Sequence, residues 1–166
     1  MNRRRQVGTT TVEFAVVGAV FFVLLFGMIE FSRAFFVWNT LNEATRRGAR
    51  VAVVLPPQHD SIGEVAVFSG PGGGTDSPIV AGLTVANVEL SYLRTDGSVI
   101  AISAPDPSCA ELQAVVPEIA LVRVAIVDYQ HQLLIPFFMQ TITAPRFEAV
   151  LPRESLGYMH PDNPCI

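Results

Sequence analysis

Hydrophobic and polar positions divide this chain into two regimes. From Thr9 to Val54 there is no proline, and the run Phe14 to Ile29 (FAVVGAVFFVLLFGMI) carries no charged side chain. Apolar groups on every face leave no polar side for water, the pattern of a helix immersed in lipid rather than one resting on a globular surface. At about 1.5 Å per residue the run reaches roughly 24 Å, short of a hydrocarbon core of about 30 Å. The span therefore extends over about Val12 to Phe31, with Glu13 and Glu30 near its two boundaries.

Past Phe31 the apolar positions thin to one stripe. Phe31, Phe35, Trp38, Leu41, Thr45, Gly48 and Ala52 recur at spacings of three and four, while Arg33, Asn39, Glu43, Arg46 and Arg50 fall largely elsewhere. The pattern predicts one continuous helix over 9–54, its lower half in a membrane and its upper half packed by the stripe against the sheet downstream. Pro56-Pro57 is the expected stop.

Residues 55–82 read as a loop-rich connection, with room for a short helix in Asp60 to Phe68 and a flexible SGPGGGTDSP segment. Residues 83–166 read as a small exported domain. Strands are expected over Leu83 to Arg94, Ser98 to Ser103, Ile119 to Gln130 and Thr143 to Glu154. The turn Thr95-Asp96-Gly97 joins the first two, and Ala104 to Val116 has room for one helical turn. The apolar, Pro136-broken stretch Leu133 to Ile142 is expected to be a short helix covering the sheet; a patch touching other subunits or the membrane surface is the alternative. The fold class is α+β, a long N-terminal helix packed on a small antiparallel sheet.

Charge gives the helix a direction. Arg3, Arg4 and Arg5 lie just before the apolar run, whereas the first positive charge after it is the lone Arg33, so the positive-inside rule keeps the N-terminal flank in the cytoplasm and sends the rest across the inner membrane. No small-x-small cleavage site comes after the run, unlike a secretory signal peptide. From Val51 onward four arginines face twelve acidic residues, a formal balance of −8. Such a surface repels nucleic-acid phosphates. In an exported domain the two cysteines, Cys109 and Cys165, are expected to form a disulfide.

The search for chemistry is otherwise negative. His59, His131 and His160 have no second ligand at metal spacing, and Glu111 and Glu118 lack a third group for acid–base work. The glycine run 72–74 lacks the lysine and the strand-to-helix setting of a phosphate loop. The expectation is a protein that is not an enzyme and uses no cofactor or metal.

The start of the chain is more specific. A short basic leader ending in Gly8, followed by Thr9 and by Glu13 as the fifth residue from Thr9, resembles the class III leader of type IV prepilins. That resemblance implies a cut by the prepilin peptidase between Gly8 and Thr9. It also implies that Glu13 meets the α-amino group of Thr9 in its own or a neighbouring subunit, and that the apolar turns from Phe14 onward pack against other pilin helices. Val12 to Ala15, the step Gly27, Glu30 and Arg33, and the closing Gly48 to Arg50 resemble the N-terminal region of TadE-like minor pilins of the tight-adherence (Flp) system. Gly18 departs from that pattern, since many relatives carry a proline nearby. The implied partners are the peptidase, other pilin subunits, the assembly-platform proteins and the inner membrane. A permanently anchored periplasmic binding or scaffold protein, keeping Met1 to Gly8, is the alternative.

Overall fold

A computed structural model describes residues 6–103, 107–134 and 140–157. One helix, α1 (Gln6–Ala52, 47 residues), runs unbroken through the described part of the N-terminal third. It begins inside the expected leader and stops two residues short of Val54. Its final turn is closed from outside, because the segment after the last strand brings the N–H groups of Glu154 and Leu156 to the carbonyl of Val53, and Ser155 Oγ and the Gly157 N–H to that of Val54. These partners satisfy carbonyls that a helix end leaves open.

Four strands, β1 (Val88–Leu93), β2 (Val99–Ile100), β3 (Leu121–Ile126) and β6 (Phe147–Pro152), form an antiparallel sheet in the order β2-β1-β3-β6. Strand alternation puts Val88, Leu90 and Tyr92 opposite Ile126, Val124 and Val122, and these in turn opposite Phe147, Ala149 and Leu151. This face meets α1 and the short helix α2 (Ser61–Ala66) in two apolar clusters, one centred on Ala49, Ala52, Tyr92 and Val122, the other on Val37, Leu41, Ala44 and Ile126. Burying a side chain such as Leu41 contributes about 1.5–3 kcal/mol. The other face of the sheet carries Glu89, Ser91, Arg123 and Glu148. The α+β class therefore stands.

Several boundaries shift. The expected first strand begins as a 3-10 turn (Val85–Asn87), with β1 starting at Val88. The turn before β2 is held by Gly97 at φ 83° and by Asp96 Oδ1 accepting from the Ser98 N–H at 2.8 Å. The long strand expected to end at Gln130 breaks at Asp128, which adopts φ 54°. Beyond it, β4 (Gln130–Gln132) pairs with β5 (Thr141–Thr143) as a separate two-stranded hairpin. Within the described part of Leu133 to Ile142 there is no covering helix; residues 135–139 lie outside the described residues. Helix α3 (Cys109–Val115) supplies the helical turn expected after β2.

The packing stripe also needs correcting. Leu41, Thr45, Gly48 and Ala52 are buried as expected, but Phe31, Phe35 and Trp38 are exposed. The buried face runs instead through Glu30, Val37, Leu41, Ala44, Thr45, Gly48, Ala49 and Ala52. Small side chains win there because the helix lies close against α2 and β3. A Cβ on Gly48 would sit 2.9 Å from Ala66 Cβ and 3.0 Å from Val124 Cγ1.

Candidate functional site

The lower half of α1 is a bare rod. The most apolar window of the helix, long enough to cross a membrane, has none of its residues buried against the rest of the chain. Phe14 is 78% exposed, and Thr9 and Glu13 are exposed too. Gly8 lies inside the helix with Thr9 directly after it. A Cβ on Gly18 or Gly27 would meet nothing within 4 Å. At Gly27 the missing side chain leaves a notch edged by Val23, Leu24, Met28 and Phe31. Small residues on a lipid-facing helix allow another helix to approach closely. The exposed Glu13 carboxylate projects from this bare rod, so the pairing expected of it depends on a partner.

The upper end of the rod holds an unexpected junction. Glu30 is only 7% exposed although it follows directly on the charge-free run. Its Oε1 accepts from Arg33 Nη2 at 2.6 Å and Nε at 3.2 Å, and its Oε2 accepts from the backbone N–H of Leu134 at 3.2 Å. Arg33 Nη2 also donates to the carbonyl of Gln132. From β4, the buried His131 places Nε2 3.5 Å from Glu30 Oε1 without forming a hydrogen bond to it. An exposed i,i+3 pair is worth a few tenths of a kcal/mol. Here the hairpin covers the pair, and the same carboxylate becomes a clamp joining β4 to the anchor helix.

The sequence marks Glu30 and Arg33 as motif positions but carries no signal for their partners. In it His131 is a lone imidazole, and Leu134 is only part of an apolar stretch. Contact between residues 30 and 134 depends on the Asp128 break, which a strand pattern alone does not announce.

The remaining expected residues separate. Gly48 is the contact point between α1, α2 and β3. Arg50 is exposed and lines a shallow cleft with Asn42, Arg46 and the β6 residues Glu148 to Leu151. Cys109 opens α3, where Ser108 Oγ caps the helix by accepting from the Glu111 N–H; Cys165 lies outside the described residues. Among the described residues no three His, Cys, Asp or Glu side chains gather at metal-binding distance.

A long apolar helix whose far end is the spine of an antiparallel sheet domain defines a protein suited to a single-pass membrane anchor. Residues 8–50 match the family described as TadE-like protein. The matched segment covers the rod and the positions Glu30, Arg33 and Gly48, and leaves the sheet domain outside it. Neither a curated protein nor a solved structure matches the chain.

Proposed function

We propose that this is a non-enzymatic minor pilin, or pseudopilin, of the tight-adherence pilus system. Prepilin peptidase cuts it between Gly8 and Thr9 on the cytoplasmic side, and the sheet domain stands on the outer side of the inner membrane. The observation that carries this reading is the division of α1: one unbroken helix is the core of the sheet domain above Val37 and wholly uncovered below Ile29. A surface of that size and apolarity calls for lipid in storage and for other helices after extraction. In the assembled fibre the turns from Phe14 to Ile29 pack side by side, and Glu13 pairs with the α-amino group of Thr9, two opposite charges in a low-dielectric setting. Other pilin subunits and the assembly-platform proteins are the partners. Cys109 and Cys165 form a disulfide that ties the tail to the start of α3.

Replacing Gly8 with a bulky residue should abolish the mobility shift produced by the peptidase, and an unchanged shift rejects the processing step. Glu13→Ala should leave processing intact while reducing recovery of the protein with sheared pili. N-terminal sequencing of the mature chain separates this reading from a permanent anchor, which would retain Met1 to Gly8.

A further inference from the structure

We propose that the foot of the β4–β5 hairpin, marked by Leu134 and Ile142, is a second contact with the lipid surface beside α1. The proposal rests on the reading of α1 as a membrane-spanning helix. As the chain leaves β4 it descends the helix: Gln132 is held by Arg33, and Leu134, two residues later, is held by Glu30, almost one turn nearer the apolar run. Glu30 follows Ile29 directly, so Leu134 stands at the edge of the charge-free segment.

Leu134 is 69% exposed there, and Ile142, paired across the hairpin with His131, is 46% exposed. On the helix at the same level, Phe31 and Phe35 are exposed as well. In an acidic domain, the described residues on either side of this foot, 130–134 and 140–145, include no Asp, Glu, Lys or Arg. The Glu30–Arg33 clamp fixes this uncharged apolar foot at one height on the rod. Lipid is the occupant we choose because the foot sits where the uncovered apolar surface of the helix ends, with the intervening Glu30 carboxylate buried and paired to Arg33, and an interfacial apolar group settles about 5–10 Å into the headgroup boundary.

Tryptophan depth measurements on the full-length protein in phosphatidylcholine vesicles test the idea. Trp38 is the only native tryptophan, so W38F provides the background for single-tryptophan variants L134W and I142W. F22W serves as a reference within the span and V99W as a reference at the exposed position of β2. With acyl-chain-brominated lipid, L134W and I142W should lose at least roughly a third of their emission and shift to the blue, as an apolar foot at interfacial depth requires, while V99W stays unchanged. If both hairpin variants behave like V99W while F22W is strongly quenched, the helix spans but the hairpin does not touch lipid, and the proposal is overturned. If F22W is not quenched, the spanning reading itself falls and takes the proposal with it.

Discussion

The backbone N–H of Leu134 donates to Glu30 Oε2 at 3.2 Å across 104 residues of chain. This bond ties the β4–β5 hairpin to the helix where the apolar rod ends. Glu30→Ala removes the acceptor for both Leu134 and Arg33 and leaves Arg33 without its carboxylate. We expect local opening of the β4–β5 hairpin to become easier by about 1–3 kcal/mol, with the four-stranded sheet unaffected. Hydrogen exchange in detergent should show faster exchange across residues 130–134 and unchanged protection in β3. Equal loss in both regions would mean that the junction supports the whole domain.

Gly48→Ala opposes two effects. Alanine gains up to about 1 kcal/mol of helix propensity over glycine, but its methyl group would press on Ala66 Cβ and Val124 Cγ1 at 2.9 and 3.0 Å. Ala66 Cβ has no rotor with which to move aside and Val124 is fully buried in the core, and overpacking costs about 1–3 kcal/mol. The expected outcome is net destabilisation, read as a lower urea midpoint; a raised midpoint would show that α1 and α2 separate without cost.

Acid should weaken the outer face of the sheet. Arg146 grips Glu89 through two hydrogen bonds at 2.8 and 3.1 Å, and this contact is the main reason the Glu89 carboxyl lies below the usual carboxylate range. A lowered folded-state value means that the stabilisation is complete above the ordinary glutamate range and disappears as pH falls through the folded-state value. The Glu89 side chain is 42% exposed, so the effect stays within about 1 kcal/mol. Denaturant midpoints compared at neutral and acid pH should fall less in Glu89→Gln than in the parent chain.

A disulfide between Cys109 and Cys165 closes a loop of more than fifty residues, worth about 3–4 kcal/mol in the chain-entropy model. Thiol labelling of denatured, unreduced protein should modify neither cysteine, and prior reduction should expose both. Labelling of both without reduction would rule the bridge out.

The parts of this fold that are legible in the sequence are those set by local chemistry. An uncharged run declares the rod, Pro56-Pro57 mark the region of its end, Asp96-Gly97 makes the turn, and strand alternation places Val88, Leu90 and Tyr92 on the inner face. Harder to read is which side of α1 the sheet chooses. Large aromatics such as Phe35 and Trp38 look like core, yet closeness of approach selects Ala44, Gly48 and Ala49. The Glu30 junction is hidden for a different reason. Its partners arrive after the strand breaks at Asp128, a non-glycine residue held at positive φ, and no periodicity encodes that event.

Because α1 is continuous from Gln6 to Ala52, no joint separates the apolar turns from the sheet. A helix advances by about 100° per residue, so the azimuth of the domain is geared to that of the apolar turns below it. Adding or removing one residue between Ile29 and Val37 would swing the sheet more than a quarter of the way around the axis. The side of the domain that looks outward from any fibre is thus dictated far below it, by the facets of the greasy turns.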